Sequence, residues 1–288
     1  ADTVRAGASG TVRNGRKPTE DLVSYGEYVQ GRNLLDRIGG VEILNAARQH
    51  LEKAVARDPE FAHAHDALAE VYWYLGYLGF LPPRQAFTTG MVYALRAIEI
   101  DNMRAETHAL LGQFHKISEY NWSEVRREMD IALRLDPESP LVRMRNAVSG
   151  LMPHGRVRDA AEELEQALKL DPHSLLIRFW LSIMLLLMHD FERAIGEGRK
   201  ILDLDPNYGL AYFSIAVGCN YQKRFEEALA AQTRAVELLS SPSVMLGWLA
   251  LMLSSSGRVP DARNVLRRLH KTAKEKYVSP CSFAWTYI

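Results

Sequence analysis

Residues 160–206 read AAEELEQALKLDPHSLLIRFWLSIMLLLMHDFERAIGEGRKILDLDP. In this stretch, a segment with apolar residues at helical spacing is twice followed by an Asp-Pro pair. Asp171-Pro172 and Asp205-Pro206 each follow such a segment, and the two pairs are 34 residues apart. Proline ends helices because it lacks an N–H group and disfavours the helical conformation of the residue before it. A unit of this length that ends in this way predicts stacked pairs of helices.

The same mark recurs on both sides of this stretch. Asp58-Pro59 and Asp136-Pro137 repeat it, Asp101-Asn102 takes its place without proline, and Pro242 comes one position late after Ser240-Ser241. The 43 residues from Asp58 to Asp101 exceed the usual interval by about nine, an insertion near residues 76–85 (GYLGFLPPRQ). Its two prolines forbid a continuous helix, so we expect a protruding loop there.

Small and large side chains share faces of the helices at helical spacing. In the second helix of a unit, Ala160, Leu164 and Ala167 lie on one face, where small residues let neighbouring helices approach closely. The first helices follow a matching pattern, x-x-x-Leu-[Ala/Gly]-x-x-Tyr in the second unit. The members of that pattern are His65, Leu68, Ala69 and Tyr72. The fourth unit departs from it, with Arg143, Asn146, Ala147 and Gly150.

With this run of marks and packing positions, the chain resembles tetratricopeptide-repeat (TPR) proteins over residues 21–288. The resemblance implies an all-α, right-handed superhelical solenoid of about seven TPR helix pairs plus a final helix. Residues 1–20 combine Gly, Arg and Thr without apolar periodicity, and we expect them to form a flexible tail.

The first unit carries a narrower resemblance in residues 25–35, YGEYVQGRNLL. It is similar to the opening repeat of TPR regions attached to bacterial signalling proteins, including winged-helix regulators, adenylate cyclases and serine/threonine kinases. No such catalytic or DNA-binding segment is visible in the sequence, so no activity is carried over to this chain.

In a TPR stack the first helices line the concave groove, and we expect an apolar stripe across three of them. Such a patch favours an interaction site for a protein or peptide, of which an amphipathic helix is one fitting kind. The alternative is that a shift of register places the same side chains in the core. The candidate partner-binding residues are Leu141, Met144, Val148, Leu176, Phe179, Ile183, Leu210, Phe213, Val217 and Asn220.

Earlier repeats present a polar stripe to the same groove, and this is the secondary candidate site. Its residues are His63, Asp66, Glu70, Trp73, Gln113 and Lys116. His63, Asp66 and Glu70 share a helix face, so a metal site or acid–base chemistry is conceivable there. A solvated polar groove is the better interpretation because further ligands are lacking. We therefore expect no catalytic residues, no metal and no cofactor.

Composition narrows the classes of partner. Lys plus Arg equals Asp plus Glu at 35 each, so no global field attracts nucleic acid, and we expect none as partner. The longest apolar run, Phe179–Met188, is too short to insert across a membrane. Residues 1–16 lack the apolar segment of a signal peptide, and a cytoplasmic location is the default expectation.

The C-terminal stretch Tyr277–Ile288 is predicted to be a first helix without a second one, and it is rich in apolar residues. Solenoids normally end in a polar capping helix. Either the chain is cut from a longer repeat protein, or this segment mediates self-association. Taken together, the sequence predicts a non-catalytic binding scaffold or sensor module. The alternative is the regulatory TPR region of a larger bacterial enzyme or transcription regulator.

Overall fold

A computed structural model describes residues 19–35, 40–118, 120–240 and 243–284, and all regular structure in these ranges is helical. The helices are α1 Leu22–Leu35, α2 Val41–Arg57, α3 Ala62–Tyr77, α4 Pro83–Ile100, α5 Ala105–Ser118, α6 Trp122–Leu135, α7 Pro140–Arg145, α8 Val157–Leu170, α9 Leu175–Leu187, α10 Phe191–Leu204, α11 Gly209–Tyr221, α12 Phe225–Leu238, α13 Ser243–Ser255, α14 Val259–Thr272 and α15 Pro280–Ala284. A π-helical turn, Asn146–Leu151, and a short 3₁₀ turn, Met152–His154, extend α7.

Seven helix pairs, α1/α2 through α13/α14, stack in chain order, and α15 follows them. Each odd-numbered helix packs against the even-numbered helix that follows it, and consecutive odd-numbered helices also contact one another along the stack. The odd-numbered helices therefore form the inner layer of an all-α superhelical solenoid, as the sequence predicted. The small residues predicted at the helix contacts of α8, Ala160 and Ala167, are fully buried.

The aspartates that mark the period end the second helices by the same hydrogen bonds. Each has an extended or near-extended backbone, donates its N–H to the carbonyl four residues earlier, and accepts the N–H two residues later on Oδ1 at 2.9–3.3 Å. Aspartate side chains suit this turn because they can replace a backbone acceptor locally. The residues are Asp58, Asp101, Asp136, Asp171 and Asp205.

A second repeated bond at these corners was not foreseen from the sequence. The first residue of the inner-helix packing pattern reaches back to the carbonyl six residues earlier. The bonds are His65 to Pro59 at 2.9 Å, His108 to Asn102 at 3.1 Å, Arg178 to Pro172 at 2.9 Å and Tyr212 to Pro206 at 3.1 Å. Histidine, arginine and tyrosine all carry a nitrogen or oxygen at the far end of the side chain. The same hydrogen bond is therefore made at this position while the residue type varies.

The insertion in the second pair does not form the protruding loop that we expected. Most of the added residues lengthen α3 and α4 to 16 and 18 residues, and the connecting segment is only residues 78–82. Pro83 begins α4, where its missing N–H is tolerated. Leu78 is 2% exposed, so the segment packs against the protein rather than protruding from it. Burial of apolar side chains stabilises this position.

The N-terminal boundary of the solenoid also differs from the sequence-based one. Thr19, assigned to the flexible tail, is buried, and its hydroxyl donates a hydrogen bond to Asp58. Asp21 then starts α1 by accepting the N–H groups of Val23 and Ser24 on Oδ1. The remainder of the predicted tail, residues 1–18, lies outside the described residues, and so do residues 285–288 of the C-terminal segment.

The corner turns can be tested at the end of α10. Asp205→Ala removes the acceptor of the Asn207 N–H at 2.9 Å and should lower the free energy of unfolding by about 1 kcal/mol. Asp203→Ala, an exposed position two residues earlier in the same helix, is the matched control. Urea denaturation followed by circular dichroism measures both; equal midpoints for the two variants would contradict a stabilising role for the turn.

Candidate functional site

The structure buries half of the predicted apolar stripe and leaves the other half partly accessible. Met144, Val148, Phe179, Leu210 and Val217 are at most 5% exposed and belong to the hydrophobic core or its main cluster. The half-buried members are Leu141, Leu176, Ile183, Phe213 and Asn220. The stripe is therefore not the open apolar patch that we expected. Its buried half fits the alternative interpretation as core, and its other half remains partly accessible.

The accessible half continues onto α13 through an aromatic pair. The ring of Phe213 on α11 meets Trp248 edge-on, with ring centroids 5.5 Å apart. Trp248 is half-buried, like Phe213. Sequence reasoning missed Trp248 because the predicted stripe stopped at the sixth pair. No 34-residue step pointed to it, because Phe213 leads to Gly247, and Trp248 corresponds to Ser214, which is outside the stripe.

The end of the second pair's inner helix contacts the fifth pair. Tyr77, at the end of α3, packs its ring 5.9 Å from the ring of Trp180 on α9. Leu75 and Leu78 belong to the same hydrophobic cluster as Phe179 and Leu210. The chain thus contributes residues of the lengthened α3 to the inner surface of later pairs.

The polar stripe is a network of paired charges contributed by four consecutive inner helices. Glu70 on α3 bonds Arg32 of α1 and lies 3.4 Å from Arg145 of α7. Asp66, one turn earlier, pairs with Arg104 at 3.2 Å and accepts the Thr107 hydroxyl at 2.9 Å. Buried charges are stable only when they are paired in this way.

The pKa values of the acids report the balance of this network. Burial acts to raise the pKa of Asp66, but the guanidinium groups of Arg104 and Arg145 outweigh it and lower the pKa. For Glu106 burial prevails, and its pKa is raised. Arg145 donates to the backbone carbonyl of Glu106 at 2.7 Å rather than to its carboxylate. The stripe therefore holds charges that largely satisfy one another.

Lys116 and Gln113 lie one turn apart on α5. Lys116 bonds a backbone carbonyl in the π-helical turn that follows α7. Met152 donates its N–H to Ala147, and Pro153 has no N–H, so the π-helical turn leaves the Val148 carbonyl without a backbone donor. The ammonium of Lys116 donates to that carbonyl at 3.2 Å. No described carboxylate pairs with it, and burial lowers its pKa to about 8.

His63 and Trp73 do not join the charge network as groove ligands. Trp73 is 4% exposed and packs against Phe87 and Phe114, with ring centroids 5.4 and 5.6 Å apart, so it is a core residue. His63 packs on the rings of Tyr28 and Phe61, and burial lowers its pKa to about 4. At neutral pH it is an uncharged aromatic neighbour of the polar stripe.

Among the described residues, no group of three or more His, Cys, Asp and Glu side chains is placed to bind a metal ion. Both cysteines are free: Cys219 is buried, which raises the pKa of its thiol, and Cys281 is exposed. In the same ranges, no helix combines the length and apolarity that a membrane span requires.

Comparison with known proteins supports the architecture. Residues 146–209 match the tetratricopeptide repeat family model. Human IFIT1, in a dimer with PPP-AAAA, superposes with a TM-score of 0.72 at 15% identity, covering 91% of this chain and 61% of that one. IFIT1 with Gppp-AAAA gives the same TM-score at 14% identity. PilF of Pseudomonas aeruginosa covers 75% of this chain and 94% of that chain, with a TM-score of 0.50 and 21% identity.

At these identities the structural likeness establishes the fold alone, and this chain spans 61% of the IFIT1 chain. No curated protein matches the sequence. The stacked antiparallel pairs define a helical-repeat solenoid with a concave inner layer. The match over residues 146–209 and the seven consecutive helix pairs among the described residues support a tetratricopeptide-repeat architecture.

The buried lysine makes a pH-dependent prediction. The unfolded chain keeps the lysine proton up to about pH 10, whereas the folded chain releases it near pH 8. Between these values the unfolded state binds more protons, so the free energy of unfolding should rise with pH. Lys116→Met should remove this rise, and Lys169→Met, at an exposed position on α8, should keep it.

Urea unfolding at a series of pH values from 7 to 10 measures the slope for each protein, with the unsubstituted chain as reference. A slope that persists in Lys116→Met would show that another group carries it.

Proposed function

We propose that this chain is a non-catalytic scaffold whose concave inner layer binds a protein or peptide segment. The observation that carries the proposal is the accessible half of the apolar stripe, which runs across three inner helices and continues to Trp248. Partly accessible aromatic and aliphatic side chains in a concavity are typical of the centre of a binding site. An amphipathic helix fits such a surface because its apolar face repeats at the spacing of these residues.

The polar stripe would lie beside this partner and contribute selectivity rather than most of the affinity. Its arginines and acids already bond one another, so a partner gains little by displacing those bonds. Gln113 is only 3% exposed, so its amide lies within the inner layer.

The alternative proposal uses the same binding surface, but as part of a larger protein. In this version the chain is the regulatory TPR region of a larger bacterial enzyme or transcription regulator, and the concave layer receives a signal for an attached effector domain. The resemblance in residues 25–35 supports it. The full-length coding sequence discriminates between the two, since an adjoining kinase, cyclase or winged-helix segment would decide for the regulatory region.

Nucleic acid is another candidate partner, because the similar IFIT1 structures contain PPP-AAAA or Gppp-AAAA. A phosphate site needs unpaired cations, because phosphate binding depends on the neutralisation of charge. Here Arg32, Arg104 and Arg145 lie beside Glu70 and Asp66. We therefore propose a protein or peptide rather than RNA.

Two phenylalanine substitutions separate binding from stability. Helical peptides selected by display on the unsubstituted chain should lose affinity at least tenfold for Phe213→Asp, because a half-buried contact becomes a desolvated charge. Phe179→Ala should instead lower the free energy of unfolding by about 3–5 kcal/mol, because it empties a buried site.

Tyr221→Asp is the control for the first variant, since Tyr221 lies on the same helix but is 59% exposed. Isothermal titration calorimetry measures the affinities, and thermal unfolding checks that the variants fold. The proposal fails if Tyr221→Asp abolishes binding while Phe213→Asp leaves it intact.

The choice against RNA is tested with a 5′-triphosphorylated oligoadenylate. We expect no saturable binding at moderate ionic strength, because the inner arginines are neutralised within the protein. Filter binding across a salt series measures this. Saturable binding that weakens steeply with salt and is lost in Arg104→Ala would overturn the choice and favour a nucleic-acid partner.

A further inference from the structure

The segment that joins α3 to α4 touches the last helix pair, five pairs further along the stack. Gly79 has a φ of +75°, and a Cβ atom placed on it would lie 3.3 Å from Val244 Cγ2, 3.4 Å from Ser243 Oγ and 3.5 Å from Ser279 Cβ. A glycine here meets two needs at once: the left-handed backbone conformation and the close approach to α13.

These contacts fall on the inner face of the last pair. Val244 and Gly247 stand 34 residues after Leu210 and Phe213, so they hold the same stripe positions on α13. Gly247 is also covered, because a Cβ atom there would come within 2.8 Å of the Ser282 backbone. Gly79 and the backbone of Ser282 therefore lie against the inner surface of α13, where a bound peptide would lie.

A second contact joins the two ends of the stack. The hydroxyl of Ser240 donates to Glu42 Oε2 at 2.7 Å, across 198 residues of sequence. This bond lowers the pKa of the Glu42 carboxyl. A Cβ on Gly40 would also collide with Ser240, so the start of α2 lies directly against the end of the sixth pair. We call the contacts of Gly40, Glu42 and Gly79 with the last two pairs the closure.

Opening of the closure would leave the contacts within each pair in place. A solenoid is held together by contacts within each repeat and between neighbouring repeats, and each pair here packs on the next. The closure adds contacts between distant repeats: one exposed hydrogen bond and a short turn seated on α13. Such contacts can be exchanged for those of a partner while the local cores remain intact.

The chemistry of the covering turn indicates what this surface accepts. The turn offers Leu78, Phe80 and Leu81, an uncharged apolar group around a glycine, and Leu78 is almost completely buried. Phe80 and Leu81 pack against the main hydrophobic cluster. An external segment that replaces the turn must therefore be short, apolar and uncharged where it meets Val244.

We propose that residues 78–82 are an intrinsic occupant of the inner surface of α13, and that an uncharged apolar peptide segment of a partner binds there by displacing them and opening the closure. The identity of the external occupant rests on the proposed function, whereas the occupancy by the chain's own turn does not. Binding would couple the first two pairs to the last two, because both sides of the closure separate together.

Gly79→Leu tests the closure, because a leucine side chain cannot fit between Gly79 and α13. Gly155→Leu is the matched control: Gly155 has a φ of +74° at an equivalent turn, but nothing lies within 4 Å of its Cβ position. Both variants bear the same backbone strain. Hydrogen exchange of residues 243–250 and fluorescence of anilinonaphthalene sulfonate measure exposure of the inner surface.

We expect faster exchange on α13 and a several-fold rise in dye fluorescence for Gly79→Leu alone, with unchanged helical content. Equal behaviour of the two variants would overturn the closure. A labelled synthetic peptide of residues 74–84 then tests the docking step: it should bind Gly79→Leu and not the unsubstituted chain. An opened variant that does not bind the peptide would refute the docking surface and leave the scaffold function of the accessible stripe untouched.

A reversible cross-link covers the case in which Gly79→Leu fails to fold. Gly79→Cys with Ser279→Cys, on a Cys281→Ser background, places two Cβ atoms about 3.5 Å apart, within the range of disulfides. The oxidised protein should not bind the peptide. After reduction, the protein should bind the peptide to the extent that the closure opens. Failure of the disulfide to form in the folded chain would itself refute the contact.

Discussion

The need to cover apolar inner surface shapes this solenoid more than any other constraint. Burial of one phenylalanine or leucine side chain is worth roughly 1.5–3 kcal/mol, and the inner helices of the fourth to sixth pairs carry a run of such residues. The chain buries half of them in its own packing, and Tyr77 of the lengthened α3 contacts Trp180 of the fifth pair. The solenoid thereby gains contacts between distant repeats, which a purely nearest-neighbour stack would lack.

At the other end of the inner layer, buried charges rather than apolar side chains need partners. Four consecutive inner helices bring arginines and carboxylates together, and each buried charge finds a partner of the opposite sign. Lys116 differs because it bonds a carbonyl that the π-helical turn and Pro153 leave without a donor. That turn lies where the fourth unit departs from the packing pattern, so a local irregularity of sequence appears as a local irregularity of helix geometry and is compensated by a neighbouring helix.

The fold was predictable because its marks are local. Asp58, Asp136 and Asp171 end helices through bonds to residues within four positions, and such bonds repeat wherever the same short sequence recurs. The site was less predictable because it depends on contacts between distant repeats. Phe179 and Phe213 occupy equivalent stripe positions, yet one is core and the other is half-buried. The insertion near residue 80 was located correctly but expected to protrude, since no local pattern shows that Gly79 meets the last pair.

The turn of the second pair lies against the seventh pair, and this contact closes the solenoid. The most direct measurement is a nuclear Overhauser effect between the α-protons of Gly79 and the methyl groups of Val244, in a deuterated sample with protonated glycine and valine methyls. A Cβ position only 3.3 Å from Val244 Cγ2 predicts a clear cross-peak. With both resonances assigned, the absence of that cross-peak in the free protein would contradict the closed solenoid.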